Sequence, residues 1–520
     1  MERSKGKILW ADDEIDLLKP HVIFLENKGF TMKTVSNGED AVILSRMEKF
    51  DLVLLDEMMP GKDGLQTLSE IKEYNPALPV IMITKNEEET LMEDAIGGKI
   101  DDYLTKPVNP SQILLTIKRI LETKEIESAR ISKDYTSEFV RISQLLNMGP
   151  TYDEWIEIWA KLAEWWVELD KFPDLGLEQS LKDQIRECNI EFSKYIEKNY
   201  RNWIHSSDRP VLSTDIVSKY VIPELQDGKN VFFIIIDCLR LDQWLSLESI
   251  LYDYFNIKKE YYYSILPSAT PYSRNSIFSG LYPREIERQF PDLWRSGELD
   301  ESSRNRFEKE FLEKHLARRG VKFDIEPKYF KILEKRELET IENNINNYLK
   351  TPLTSLVFNF VDNLTHKRSE SEILQQIVPD EAAFRSLTSS WFLHSHLFNI
   401  LKSISKSKSI VILTTDHGSI RVSKPSQIKG DKDTSTNLRY KVGRNLNSEL
   451  KDTLIIKNPE DYKLPVVGVH CNYVLAKEEN FLVYPTNYHK FVNMYKDSFQ
   501  HGGISMEEMI LPVVRLEGKG

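Results

Sequence analysis

Three carboxylates near the start of the chain, Asp12, Asp13 and Asp56, each follow a short apolar run; Thr84 and Lys106 follow two more. Carboxylates gathered at one edge repel one another unless a hard divalent cation, best Mg2+, neutralises them. A lysine and a hydroxyl beside them could then stabilise a phosphoryl group carried by one carboxylate. A second set lies far downstream: Asp237, Asp362-x-x-x-His366, Asp416-His417-Gly418 and His501-Gly502-Gly503. Asp362 and His366 stand four apart, so one helical turn or a tight loop can aim both at one point. Asp416 and His417 are adjacent, and their side chains should point in different directions beside a shared site. Oxygen and imidazole donors without thiolates suit Zn2+, Mn2+ or Fe2+. Two such ions roughly 4 Å apart would clamp a phosphoryl group.

Between these ligand candidates stands Thr270-Pro271, shortly after the apolar Tyr261–Tyr263 run. Thr270 reads as an N-cap and Pro271 as the first helical residue. A helix N-terminus favours an anion, and an activated Thr hydroxyl there could attack phosphorus; the plainer reading is a capping Thr. Arg274 and Asn275 on the same helix are candidates for holding a phosphoryl oxygen. From Arg421 to Arg444 there are seven basic and two acidic residues. Arg439 and Lys441, flanking Tyr440, suit a phosphate-bearing substrate, or the stretch is a solvated loop. His394 and His396 form an HxH in a helical context, where i and i+2 face apart, so they read as packing or surface residues.

The elements that must position these groups fall into three segments. Lys7–Trp10, Met32–Val35, Asp51–Leu55, Pro79–Thr84 and Asp102–Leu104 read as strands separated by helical segments. That alternation implies a parallel sheet covered on both faces, with its site at the carboxyl ends of the strands. From Lys124 to about His205 the spacing is helical. Trp155, Trp159, Leu162 and Trp166 form one stripe, the Phe172–Gly176 break ends that helix, and a second runs from about Leu177 to Tyr200. The stripe is either bundle core or a dimer face. Val231–Ile236, Ser355–Val361 and Ser409–Thr414 then read as buried parallel strands, each leading into an Asp. The expected domains are residues 1–122, 123–208 and 209–520, an α/β multidomain chain with a helical bundle between two α/β units.

Composition sets outer limits. The chain has 520 residues, 41% of them hydrophobic, with 69 basic and 81 acidic side chains. Met1–Glu122 carries 15 basic and 23 acidic residues, so most of the negative charge belongs to the first segment. The acidic balance argues against a nucleic-acid coat protein. Three scattered cysteines, Cys188, Cys238 and Cys471, support neither a disulfide framework nor a thiolate metal site. With no apolar leader and no long apolar stretch, a cytoplasmic setting without membrane contact is expected.

The first segment resembles a response-regulator receiver domain through Asp12-Asp13, Asp56 with Met59-Pro60-Gly61, Thr84, and Tyr103 ahead of Lys106-Pro107. The resemblance implies that Asp56 is the phosphoacceptor, with Asp12, Asp13 and Asp56 around Mg2+. It makes Thr84 and Tyr103 the switch pair, beside Lys106, and a sensor histidine kinase the phosphoryl donor. The last segment resembles the alkaline phosphatase superfamily, most closely its PglZ branch. The run His501-Gly502-Gly503-Ile504-Ser505-Met506-Glu507-Glu508-Met509-Ile510-Leu511-Pro512 carries that likeness with the ordered ligand set. By resemblance, Asp362, His366 and His501 hold one zinc; Asp237, Thr270, Asp416 and His417 hold the other, with Mn2+ as an alternative metal. The order of all three segments resembles the PorX-like response regulators. That family implies control of type IX protein secretion and a phosphodiesterase acting on oligonucleotide-like, including cyclic, substrates.

The main reading is therefore a zinc-dependent phosphodiesterase with Thr270 as nucleophile, controlled by phosphorylation at Asp56 and by pairing with a second copy. The alternative is a non-catalytic adaptor whose C-terminal domain binds a protein partner such as a sigma factor or secretion component. A DNA-binding regulator is disfavoured by the acidic balance and the lack of helix-turn-helix spacing.

Overall fold

A computed structural model describes residues 5–85, 100–294, 305–332, 335–430, 437–466 and 468–520. The chain forms two compact units, Met1–Glu138 and Phe139–Gly520.

In the first unit, β1 (Lys7–Ala11), β2 (Thr31–Val35), β3 (Leu52–Asp56), β4 (Val80–Thr84) and β5 (Asp102–Thr105) form one sheet in the order β2-β1-β3-β4-β5. All of its pairings are parallel, as the apolar strand runs imply. β3 is buried along its whole length, without polar alternation, because both faces of the sheet are covered: Val53 and Leu55 enter one core, Leu52 and Leu54 the other. The carboxyl ends of β1, β3, β4 and β5 therefore deliver Asp12, Asp56, Thr84 and Lys106 to one edge.

The second unit begins at Phe139, in the last turns of the helix Pro110–Met148, and continues with helices Tyr152–Asp170 and Glu178–Trp203. Thr151 and Glu154 form a capping box that starts the helix Tyr152–Asp170. Trp155, Trp159 and Trp166 are buried, so the stripe is packing surface. Its partners include the α/β part of the same unit as well as the neighbouring helix. Trp155 meets Phe192 edge-on at 5.3 Å, while Arg240 and Arg385 lie 5.5 and 5.0 Å over Trp166. Asp170, at the end of that helix, takes both Nε and Nη2 of Arg385 at 2.8 Å.

The main sheet comprises β6 (Val231–Ile236), β7 (Phe255–Tyr263), β8 (Lys328–Ile332), β9 (Leu353–Phe358), β10 (Ile410–Thr414) and β18 (Ile510–Gly518), in the order β7-β18-β10-β6-β9-β8. β10, β6, β9 and β8 are parallel; β18 runs antiparallel to β10 and β7. The apolar run Ser355–Val361 behaves differently from expectation. The strand stops at Phe358, and Phe360-Val361 open the helix Phe360–Glu370, which puts Asp362 in a first helical turn. The apolar run covers a strand end and a buried helix start together, and periodicity cannot separate them. Between β10 and β18 lie β11 (Ile420–Arg421), β12 (Lys424–Gln427), β13 (Tyr440–Arg444), β14 (Thr453–Ile456), β15 (Cys471–Ala476), β16 (Asn480–Val483) and β17 (Phe499–Gln500), paired into three small sheets.

The helix Glu178–Trp203 buries one carboxyl group of the α/β part. Asn189 Nδ2 donates to Glu507 Oε1 and Oε2 at 3.1 and 2.9 Å. Burial pushes the Glu507 carboxyl up to about 7, against the pull of Asn189 and Arg240 and with the help of Glu508. A carboxyl raised in the folded state favours folding below its unfolded value near 4.5, and that contribution is lost as the pH rises through about 7. Glu507→Gln should therefore stabilise the protein at pH 8 by on the order of 3 kcal/mol and change little at pH 4.5. Urea unfolding followed by tryptophan fluorescence reads this unit, since of nine tryptophans all but Trp10 lie in it. An equal effect at both pH values would contradict the prediction.

Candidate metallohydrolase and phosphoacceptor sites

In the first unit, Asp12, Asp13 and Asp56 bring carboxylate oxygens within 4.8 Å of one another. Asp12 and Asp56 are buried and Asp13 is exposed. Gly64 allows the following helix to close on this edge, because a Cβ there would stand 2.4 Å from the Asp56 carbonyl oxygen. Lys106 Nζ bridges two of the acids, 3.0 Å from Asp12 Oδ2 and 2.8 Å from Asp56 Oδ1. Burial pushes the Asp56 carboxyl up to about 6, Lys106 opposes this, and Asp12 adds to it. One lysine against three converging carboxylates leaves the negative excess that a divalent cation would balance, so these residues fit Mg2+. Thr84 is at the same edge, with its hydroxyl donating to Glu57 Oε2, and Tyr103 is exposed.

In the second unit, two donor clusters lie side by side. Asp237 follows β6, and Asp416 and His417 follow β10; with Thr270 they form the buried cluster. Thr270 Oγ1 is 3.0 Å from His417 Nε2 and 3.5 Å from Asp237 Oδ1. His417 Nε2 is 3.5 Å from Asp237 Oδ1 and 3.8 Å from Asp416 Oδ2. Asp416 and His417 thus aim at one point despite their adjacency. Cys238 holds a left-handed φ of 65°, which turns the chain after Asp237 and brings its N–H 3.4 Å from Asp416 Oδ1. The outer cluster is Asp362, His366 and His501. Asp362 Oδ1 is 3.4 Å from His366 Nε2 and 3.5 Å from His501 Nε2, and the two imidazole Nε2 atoms stand 3.2 Å apart. The rings of His417 and His501 stack at 4.1 Å and join the clusters.

The electrostatics follow from burial. It raises the Asp416 carboxyl, and Asp237 adds to that. Burial also raises Asp237, but Arg274 and His417 outweigh it and hold that carboxyl below the usual range. Burial lowers His417, but Asp416 and Asp237 overcome it and raise the imidazole. His501 is pulled well below its ordinary value by burial, then by His417. Among the described residues, no hydrogen bond is found to the buried oxygens Asp362 Oδ1 and Asp416 Oδ2, and two imidazole nitrogens face each other across the outer cluster. One carboxylate oxygen and two imidazole nitrogens converge in the outer cluster; in the inner one, two carboxylates and His417 converge with Arg274 as the cation beside them, and each donor set fits a divalent cation.

Several expectations change. Thr270 is the first residue of the helix Thr270–Ser279 and Ala269 is its cap, so Pro271 falls at the second helical position. A sequence pattern fixes a helix end only to within a residue or two, and the Thr270 hydroxyl meets His417 instead of capping the helix. Arg274 is buried and committed to carboxylates, with Nη1 2.5 Å from Asp237 Oδ2 and Nε 2.7 Å from Glu308 Oε1. It therefore orients Asp237 and faces no open space. Asn275 is buried as well; its Nδ2 donates to Pro271 O at 2.9 Å and its Oδ1 accepts from Asn305 at 3.3 Å. Arg439 is fully buried against Glu508, and Lys441 is buried over the Tyr484 ring at 5.7 Å, its ammonium pulled down to about 8 by desolvation. Neither is part of a solvated loop: Lys441 lies in β13, which is paired along its length with β15, and Arg439 O, just before that strand, accepts from Ala476 N at 2.7 Å. Residues 431–436 of the basic stretch lie outside the described residues. His394 and His396 sit at the junction of two helices, where His396 Nδ1 meets Glu342 Oε2 at 2.6 Å.

Residues overlooked in the sequence include Glu308, Asn305 and Asn189. Their type and spacing carry no signal, since each acts through a partner distant in the chain.

Comparison with known proteins matches residues 8–118 to the response regulator receiver domain, 125–204 to the PorX response regulator linker domain, and 216–516 to the BREX system PglZ alkaline phosphatase-like domain. Transcriptional regulatory protein ResD of Bacillus subtilis (strain 168) is 33% identical over 120 residues, which is 23% of this chain and 50% of that protein. Transcriptional regulatory protein SrrA of Staphylococcus aureus is 29% identical over 140 residues, 27% of this chain and 58% of that one. The chain thus spans little more than half the length of these curated relatives. A CheY-like response regulator receiver domain protein from Methanospirillum hungatei JF-1 is 27% identical and covers 23% of this chain and 97% of its own, with a TM-score of 0.23. Among the described residues no helix is long and apolar enough to cross a membrane. With a receiver, the PorX linker and this hydrolase-like domain in that order in one chain, the protein belongs to the PglZ alkaline phosphatase-like family in its PorX-like response-regulator form.

Proposed function

We propose that the protein is a response regulator whose phosphorylation at Asp56 controls hydrolysis of phosphodiesters by Thr270. The observation that carries this reading is the place of the Thr270 hydroxyl. It lies 3.0 Å from His417 Nε2 and 3.5 Å from Asp237 in the inner cluster, whose His417 ring stacks on His501 of the outer one. Two divalent cations, zinc by preference, would when bound supply the positive charge that lowers the hydroxyl's pKa and meets the phosphoryl oxygens. Thr270 Oγ1 loses its proton and attacks phosphorus, the P–O bond to the leaving group breaks, and that proton ends on the leaving alkoxide. Water then hydrolyses the threonyl phosphate ester and restores the hydroxyl. Arg274 keeps Asp237 ionised and aimed at Thr270, and the helix dipole at Thr270 favours the anionic substrate.

Oligonucleotide-like diesters, linear or cyclic, are the substrate class, and a sensor histidine kinase supplies the phosphoryl group. Lys106, already on Asp56 and Asp12, would hold that group, and Thr84 and Tyr103 would report it. The functional segments are 1–122 for reception, 123–208 for transmission and 209–520 for hydrolysis. Phosphorylation pairs two copies in the cytoplasm, and type IX secretion is the process regulated.

Purified protein should hydrolyse bis-p-nitrophenyl phosphate, lose that activity to a chelator and regain it with Zn2+. Acetyl phosphate should change the rate and the dimer fraction in the wild type but not in Asp56→Asn. No turnover above buffer with Zn2+ present would overturn the enzymatic reading.

A further inference from the structure

Among the described residues, no hydrogen bond is found from the linker helix Glu178–Trp203 to the reacting groups, yet one stripe of it holds both loops that carry them. Asn189, Ser193 and Tyr200 recur at the four- and seven-residue spacing of one helical face. At one end of the stripe, Asn189 Oδ1 accepts from Met506 N at 2.8 Å, and Ser193 Oγ donates to Ile504 O at 3.4 Å. Both backbone groups belong to the turn that follows His501. About 16 Å along the axis, at 1.5 Å per residue, Tyr200 Oη accepts from Leu266 N at 2.9 Å. Leu266 lies in the loop that leads to Thr270. The two loops are also tied to each other, since Ser268 Oγ donates to Gly503 O at 2.7 Å. Asn189, Ser193 and Tyr200 are all buried, so none of these bonds can be replaced by water without opening the interface.

We infer that Asn189 and Tyr200 are positioning residues of the hydrolytic site. This rests on the Thr270 reading above. Tyr200 sets the height of the Thr270 loop, and Asn189 sets that of the His501 turn. The helix thereby fixes the separation between the nucleophile and the Asp362–His366–His501 cluster. A shift of about 1 Å in such a separation is enough to cost about a hundredfold in rate. The linker acts on the site as a template for its two loops.

The test uses the full chain with Tyr200→Phe and Asn189→Leu, and Ile185→Val as a control. Ile185 is a buried residue of the same helix, for which no hydrogen bond to either loop is found among the described residues. Tyr200→Phe should lower kcat on bis-p-nitrophenyl phosphate by about ten- to a hundredfold with KM within about twofold. Asn189→Leu should also weaken binding of Co2+, read from its visible spectrum without turnover, by at least about tenfold. Ile185→Val should leave both readings unchanged. Wild-type kcat and wild-type Co2+ affinity in both variants would overturn the inference while leaving Thr270 chemistry intact. A wild-type protein without turnover would overturn the Thr270 reading instead, and the Co2+ titration would then decide the role of Asn189 alone.

Discussion

Thr270→Ala should reduce hydrolysis of bis-p-nitrophenyl phosphate by at least about a thousandfold, because it deletes the attacking oxygen and no neighbour can replace it. Among the described residues, the hydrogen-bonding contacts found for the hydroxyl are His417 Nε2 and Asp237 Oδ1, and Asp237 in turn is held by the committed Arg274. Thr270→Ser keeps the oxygen and loses one methyl group from a buried position, so it should retain measurable turnover, within about a hundredfold of the wild type. Folding should be nearly unchanged in both. The Ala variant loses one hydrogen bond of about 1 kcal/mol and little volume. Steady-state kinetics with zinc supplied, beside a thermal melt, check this. Turnover in Thr270→Ala comparable with the wild type would exclude Thr270 as nucleophile. If signalling in cells survives Thr270→Ala while turnover is lost, the C-terminal domain acts as a protein-binding adaptor.

The parts of this site that were legible in the sequence are those whose position follows from the chain's own local structure. A short β-branched run that ends in Asp predicts a buried parallel strand, and parallel sheets present such ends at one edge. That logic placed Asp12 with Asp56, and Asp237 with Asp416, without any knowledge of the loops between them. The spacing of Asp362 and His366 worked for the same reason, because one helical turn sets it, even though the strand before it ends three residues earlier than its apolar pattern suggests. His501 was legible only through its glycines and its place in the ordered set.

Burial of charge was not legible. The basic excess of Arg421–Arg444 looks like a substrate-facing loop, because composition cannot show which cation has a carboxylate partner elsewhere. Arg439 meets Glu508, 69 positions away, and Arg274 meets Glu308, 34 positions away. The tryptophan stripe posed a related problem. Periodicity says that Trp155, Trp159 and Trp166 face something apolar, and it says nothing about whether that surface belongs to the bundle, a second copy or the neighbouring α/β layers. Here Trp166 lies under Arg240 and Arg385 of the α/β part, which pins the linker to the hydrolase-like domain.

Arg439 separates a substrate grip from a structural pair most sharply. Its Nε and Nη2 meet Glu508 Oε1 and Oε2 at 3.1 and 2.7 Å, and its Nη1 donates to the carbonyl of Asn480. Glu508 also accepts from Gly503 N at 2.8 Å and Ser505 Oγ at 2.7 Å, so the pair pins the turn that follows His501. Both side chains are fully buried. Removing one member of such a pair leaves an uncompensated charge in a low-dielectric interior, which costs about 3–5 kcal/mol. Arg439→Leu should therefore lower the unfolding free energy by that amount. Arg439→Lys should also be destabilising, since an ammonium cannot reproduce the two-pronged contact. Adding Glu508→Gln to Arg439→Leu should recover a large part of the loss, because the amide is neutral and its oxygen can still accept from Gly503 N. A substrate-gripping arginine behaves in the opposite way, with a raised KM and an unchanged melt. Urea titration of the three variants beside their KM values distinguishes the two, and an Arg439→Leu protein as stable as the wild type would rule out the structural role.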